Sequence, residues 1–164
     1  MAKVSNKANK SIQKEAALKR LSENRYAKFQ YEILETIEAG IELLGTEVKS
    51  IRNGNANLRD GYCSFRDGEI LLLNVHISPH KNVGSFFNHD PLRNRKLLLH
   101  KKEIIKLKYN TEKKGLTIIP LSIYLKGSWI KLTIGIGKGK KLHDKRQADK
   151  QRDIKREIKT ALKR

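Results

Sequence analysis

Cysteine is almost missing from this chain: Cys63 stands alone among 164 residues. An internal disulfide and a cysteine zinc site are thereby excluded, which fits a protein of the reducing cytosol. No apolar run approaches the roughly 20 residues needed to cross a bilayer. Acidic side chains are scarce, with 17 Asp and Glu against 36 Lys and Arg, and the formal charge is +19. Neither end of the chain offers an aromatic or Leu-rich face, so an anionic membrane is the weaker candidate partner. Catalytic and metal-binding groupings are lacking as well. His76 and His80 have i, i+4 spacing, but Pro79 lies between them in an extended stretch, and His89 and His100 have no ligands nearby. Cys63 falls in a strand pattern with no adjacent base, so it reads as a small buried residue. The expectation is a protein without cofactor, metal, small-molecule substrate or enzymatic activity.

What is present is positive charge, concentrated at the ends. Residues 1–25 carry 7 basic and 2 acidic side chains, and residues 137–164 carry 12 basic and 4 acidic ones. Such a field gathers polyanions, and the counterions they release drive binding, so nucleic acid is the expected partner. Three parts follow: a flexible basic arm over 1–22, a folded body over 23–136 and a basic tail over 137–164. Glu15, and the lack of Arg before Arg20, favour a plain arm over an organellar transit peptide.

The body reads as mainly β. Phe29, Tyr31 and Ile33 alternate with Gln30 and Glu32, predicting a strand from Phe29 to Ile37 that breaks at Ala39-Gly40 and resumes over Ile41–Leu44. Thr46 is placed to cap a short helix from Glu47 to Asn53, stopped by Gly54. Asp67-Gly68 predicts a tight hairpin between strands over 58–66 and 69–75. Residues 78–91 read as a long loop whose Phe86-Phe87 pair could tuck onto the body. A helix over 101–113 ends at Gly115, and Gly127-Ser128 joins the last two strands, 116–126 and 129–136. In the last of these, Ile130, Leu132, Ile134 and Ile136 point one way, which puts Lys131 on the outer face. The series Gly135-x-Gly137-x-Gly139 reads as a flexible exit from that strand. Together these patterns indicate a small antiparallel barrel of the oligonucleotide-binding type with a few short helices.

The tail repeats Ile154, Ile158, Ala161 and Leu162 at helical spacing among Lys and Arg. A narrow stripe on a short helix is marginal in water, so the expectation is a tail disordered when free and helical when bound. Taken singly, Glu38 reads as a solvent-facing carboxylate at a strand end, and Tyr31 and Leu98 as barrel core. A rival reading of the whole is a structural ribosomal or assembly protein with a generic RNA-binding barrel.

Longer motifs point further. Asn24-Arg25, Tyr31, Glu38-Ala39-Gly40-Ile41, Gly45-Thr46-Glu47-Val48-Lys49-Ser50, Arg52-x-Gly54, Asp60-x-Tyr62, His76-Ile77-x-Pro79, Arg95-Lys96-Leu97-Leu98-Leu99-His100, Gly139-Lys140-Lys141 and Asp144-Lys145-Arg146 occur in one order. With that series the chain resembles the SsrA-binding protein (SmpB) family, partner of transfer-messenger RNA in bacterial trans-translation. The resemblance runs from about residue 22 to the end; only the arm has no counterpart. It implies an oligonucleotide-binding barrel that grips the tRNA-like domain of transfer-messenger RNA. It further implies a cytoplasmic protein whose tail enters the decoding centre of a stalled ribosome, against small-subunit ribosomal RNA, and continues along the empty messenger channel. Elongation factor Tu would be met only through the charged RNA.

By position, the resemblance implies that Asn24, Tyr31, Glu38, Leu98 and Lys131 face transfer-messenger RNA. Arg25 belongs to the motif carrying Asn24, while Lys49 and Arg52, together on one short helix, supply phosphate contacts. Gly139, Lys140, Lys141, His143, Asp144, Lys145 and Arg146 match the decoding-centre segment, with Ile154 and Ile158 in the tail helix. Asp144 argues for a specific role there, because a purely phosphate-binding tail gains nothing from a carboxylate. Many relatives carry His where this chain has Phe29, which keeps the aromatic plane and removes a polar contact.

Overall fold

The computed structural model describes residues 19–81 and 83–141. Nine strands are found there: β1 Lys19–Glu23, β2 Tyr31–Ile41, β3 Ala56–Asn57, β4 Tyr62–Arg66, β5 Glu69–Leu73, β6 His76–Ile77, β7 Arg95–Leu98, β8 Thr117–Lys126 and β9 Trp129–Gly139. Three helices accompany them: α1 Ala27–Gln30, α2 Gly45–Arg52 and α3 Lys101–Lys114. Seven strands form one antiparallel sheet in the order β1-β8-β4-β5-β7-β2-β9. Because β8 also pairs with β9, six of them close into a ring, with β1 attached to β8. The expected small barrel is therefore what the chain builds. Strand pairing extends past both ends of the 23–136 body, beginning at Lys19 and reaching Gly139 opposite Tyr31.

The interior is aliphatic. Ile51, Leu58, Ile70, Leu72, Ile77, Leu97, Leu107, Ile118, Ile123, Leu132, Ile134 and Ile136 form a single buried cluster, and Cys63 joins it. Burial pushes the Cys63 thiol far up from its ordinary pKa, as befits a packing residue. Asp67 and Gly68 both have positive φ (52° and 78°), the geometry that lets a two-residue turn follow the twist of β4 and β5. Gly115, at φ 59°, ends α3, while the Glu103 carboxylate accepts from the His100 amide at its start.

Five local expectations are corrected. Phe29 is in the single turn α1, where its ring lies 5.4 Å from that of Tyr26, and β2 begins only at Tyr31. β2 then runs through Ala39-Gly40 unbroken, because Gly40 lets β7 approach: a Cβ on it would lie 3.1 Å from Leu98 Cβ. Helix α2 starts at Gly45, capped by Glu47, whose Oε2 accepts from the Leu44 amide at 2.8 Å; the Thr46 hydroxyl instead meets His89 Nδ1 at 2.9 Å. Residues 58–61 stay outside β4, whose neighbour Gly61 has no room for a Cβ beside Val75. Gly135 and Gly137 are not a loose exit. They are buried in β9, and a Cβ on Gly137 would come within 2.7 Å of the Glu32 carbonyl oxygen.

The loop after β6 is organised from within. Asn88 Oδ1 accepts from the His80 and His89 amides, its Nδ2 donates to the His80 and Val83 carbonyls, and the His89 ring lies 3.0 Å from the Ile77 carbonyl oxygen. Phe86 and Phe87 do not tuck onto the body. They are 89% and 78% exposed and contact each other edge to face. No helix among the described residues is long and apolar enough to cross a membrane.

Candidate nucleic-acid interface

Strand β2 carries Glu38 outward, and its neighbours in the barrel determine what Glu38 meets. Lys131, on β9, is the register partner of both Gly40 on β2 and Tyr124 on β8. The Tyr124 hydroxyl donates to Glu38 Oε2 at 2.6 Å, and Lys126 Nζ donates to both carboxylate oxygens at 2.8 and 3.0 Å. Partial burial alone would push the Glu38 carboxyl up. Hydrogen bonds from Lys126 and Tyr124, with the charges of Lys126 and Lys131, outweigh it and hold the group below the usual carboxylate range. Glu38 is thus kept ionised on a basic surface. A carboxylate offers about four acceptor positions; three are occupied, so one remains for a partner's hydroxyl or amino group.

Glu38 and Lys131 line a cleft of about 470 Å³ with Gly40, Leu98, Leu99, His100 and Glu103. Leu98 is 52% exposed, because β7 turns it away from the interior that holds Leu97. The core reading of Leu98 is thereby corrected: an apolar side chain lies open beside a carboxylate and an ammonium. That combination suits a ribose edge and a phosphate on one side and an apolar base face on the other. At one end, Arg52 Nη2 from α2 donates to the Ser128 carbonyl at 3.2 Å, which brings that guanidinium to the β8–β9 turn. Lys49 is exposed on the same helix.

The remaining expected residues lie elsewhere. Asn24 is buried: Nδ2 donates to the Leu58 and Pro120 carbonyls, and Oδ1 accepts from the Ala27 amide. Its polar atoms are already engaged inside the fold, joining the β1–α1 corner to β8. Arg25 is exposed, 3.8 Å from Glu23. Tyr31 is half-buried and lines a second cleft of about 330 Å³ with Asn24, Gln30, Arg59, Asp60 and Tyr62. Tyr31 and Glu38 are seven residues apart on β2, roughly 20 Å at 3.3 Å per residue. One ligand contact cannot serve both.

The start of the tail belongs to this second region. Gly139 ends β9, the Lys140 amide donates to the Gln30 carbonyl at 2.9 Å and Lys140 Nζ donates to the Lys28 carbonyl at 3.0 Å. Lys141 is exposed. The tail thus leaves the barrel anchored to α1, close to Tyr31. His143, Asp144, Lys145, Arg146, Ile154 and Ile158 lie outside the described residues.

Reading the sequence missed Tyr124 and Lys126 as partners of Glu38, and Arg59, whose guanidinium lies 4.8 Å over the Tyr26 ring. No local signal marks the first two, which are 86 and 88 residues from Glu38 in the chain. Arg59 does have one: it follows an Asn57 turn whose side chain accepts the Arg59 amide.

A family model described as SmpB protein matches residues 21–164. The chain is 95% identical over 164 residues to the SsrA-binding protein of Prochlorococcus marinus subsp. pastoris (strain CCMP1986 / NIES-2087 / MED4), covering all of this chain and 94% of that protein. It is 62% identical over 162 residues to the SsrA-binding protein of Prochlorococcus marinus (strain MIT 9303), covering 99% of this chain and 98% of that protein. A solved structure described as "tmRNA-SmpB: a journey to the center of the bacterial ribosome" is similar at a TM-score of 0.64 and 47% identity, covering 77% of this chain and 92% of that one.

Proposed function

Because the chain belongs to the SmpB protein family, we propose that it binds the tRNA-like domain of transfer-messenger RNA and delivers it to stalled ribosomes for tagging and rescue. The observation that carries this reading is the Glu38 cleft. A barrel built only to neutralise phosphate would gain nothing from a carboxylate held ionised between Lys126 and Lys131. A site that must accept a hydrogen bond from one particular RNA does gain from it. Relatives named for SsrA binding support the choice of RNA.

In this reading the barrel and the tail divide the work. The cleft with Glu38, Leu98 and Lys131, flanked by Lys49 and Arg52, takes transfer-messenger RNA. Tyr31, in the second cleft, takes the same RNA, and from Gly139–Lys141 onward the chain faces the ribosome, where the basic residues that follow act in the decoding centre and empty messenger channel. Anchoring of Lys140 to α1 supports this, since it sets the start of the tail at the end of the barrel away from the Glu38 cleft. Peptide transfer belongs to the ribosome, GTP hydrolysis to elongation factor Tu, and the setting is the cytoplasm.

The test is a gel-shift titration at fixed ionic strength, since charge alone makes affinity depend steeply on salt. The tRNA-like domain should bind at least tenfold more tightly than bulk elongator transfer RNA. Equal affinities would return the chain to the generic ribosomal reading. A chain ending at Lys141, which keeps all of β9, should retain binding and lose tagging on stalled ribosomes; joint loss of both would refute the division of labour.

A further inference from the structure

Trp129 is the only tryptophan in the chain, and the fold leaves it 75% exposed. Tryptophan usually occupies core or interface positions, because its indole carries a large apolar surface. Here it adds nothing to the interior. Ile130 and Leu132 turn inward, so Trp129 and Lys131 share the outer face of β9. Across the hairpin Trp129 opposes Lys126, the lysine that holds Glu38. Arg52 reaches the carbonyl of Ser128, the residue just before it. Among the described residues the indole has no ring stack and no cation over its face. An uncovered aromatic plane thus stands on a paired strand, amid Arg52, Lys126 and Lys131, about 7 Å along β9 from the Glu38 cleft.

Three other exposed aromatic sites differ from it, and one of them, Tyr62, lines the second cleft. Phe86 and Phe87 turn their rings on each other in the long loop, and Tyr109 is on α3. Only Trp129 continues the surface that already joins a carboxylate, two lysines and an open leucine.

We propose that Trp129 is the stacking platform of this interface, taking the face of an unpaired base next to the nucleotide held at the Glu38–Lys131 cleft. The inference rests on the RNA reading of that cleft. Its physical basis is simple: any base can cover the indole, and the neighbouring cations hold the phosphates on either side. Base stacking adds grip that tolerates sequence, while Glu38 supplies the polar discrimination.

A lone tryptophan reports on itself. Full-length protein is titrated with the tRNA-like domain of transfer-messenger RNA at fixed salt, following tryptophan emission, acrylamide quenching and a parallel gel shift. Stacking predicts emission reduced by about half or more at saturation and acrylamide access cut several-fold. Trp129→Ala should weaken binding about tenfold and Trp129→Phe should recover most of it. Unchanged emission and quenching at RNA saturation would overturn the proposal, as would full affinity in a folded Trp129→Ala variant. Should Trp129→Ala fail to fold, the fluorescence of the unaltered protein still decides. Selective RNA binding with Trp129 left accessible sinks this inference alone, whereas loss of selectivity in the gel shift sinks the cleft reading beneath it.

Discussion

Two glutamates divide this molecule into an interior that is fixed and a surface that is available. Glu47 has no exposure and is enclosed by Arg95, also fully buried, and by Arg93. Its Oε1 accepts from Arg95 Nε at 2.8 Å, and its Oε2 accepts from Arg93 Nη2 at 2.7 Å and from the Leu44 amide. Arg95 gives three further hydrogen bonds, to the Val75, Arg93 and Pro91 carbonyls. Glu38, on the barrel's outer face, is held by one lysine and one tyrosine. Both carboxyls lie below the usual range, and in both the raising effect of burial is outweighed by hydrogen bonds and positive charge. The difference is in the partners. A fully buried guanidinium with four of its five N–H groups engaged inside the fold is out of a ligand's reach. A solvent-facing ammonium can turn from the carboxylate to a phosphate. A lowered carboxyl pKa therefore does not distinguish a structural site from a binding site; exposure and the spare hydrogen-bonding capacity of the partners do.

The strongest test of that contrast removes the interior cation. Arg95→Ala leaves Glu47 buried beside Arg93 alone and strips the Val75 and Arg93 carbonyls of the guanidinium donor, while Pro91 keeps the Ile77 amide, so stability should fall by about 3–5 kcal/mol, measured by denaturant unfolding. A loss below about 1 kcal/mol would put the two glutamates in one class. Next in size comes Glu38→Gln, which should move Tm by only a few degrees, as for other exposed pairs. It should nevertheless weaken binding of the tRNA-like domain about tenfold, or about 1.4 kcal/mol. Simple charge attraction predicts the opposite sign, since removing a negative charge from a basic surface should tighten binding to a polyanion. Tighter or unchanged binding would reduce Glu38 to a surface partner of Lys126.

The smallest effect is with acid. A carboxyl whose pKa is lowered by folding adds stability above its unfolded pKa of about 4.3, and that stability is lost as pH falls through the folded value. Tm should stay level from pH 7 to about 5 and decline below about 4. The Glu38→Gln variant should keep most of that decline, because Glu47 is the fully buried carboxylate and is held by two arginines. A variant that lost the acid sensitivity would reverse the assignment.

Much of the scaffold was legible locally. Asp67-Gly68 and Gly127-Ser128 each specify their turn, since a two-residue connection demands backbone angles that few residues adopt cheaply. Alternation of Ile130, Leu132, Ile134 and Ile136 placed Lys131 outside before any strand was paired. The errors arose where a neighbouring strand, rather than the local pattern, decides the backbone. Gly40 and Gly137 look like breaks in isolation, yet each lies in a strand with a close neighbour: a Cβ would sit 3.1 Å from Leu98 Cβ at Gly40 and 2.7 Å from the Glu32 carbonyl oxygen at Gly137. Asn24 and Glu38 show the same limit at the interface. Nothing in the two motifs says that one amide is turned inward onto Leu58 and Pro120 while one carboxylate stays outside.

Composition and motif order by themselves determined the charge of this protein and its family, and pointed to the polyanion partner proposed for it, because net charge and ordered motifs are properties of the chain before it folds. Turn residues and strand alternation determined most of the elements, because they act over two to four residues. Only the closed barrel decided which residues meet. It brought Tyr124 and Lys126 to Glu38, set Trp129 beside them and put Tyr31 with the tail's exit some 20 Å away. Contacts across a ring of strands are fixed by register between distant segments, and register is a property of the packed sheet.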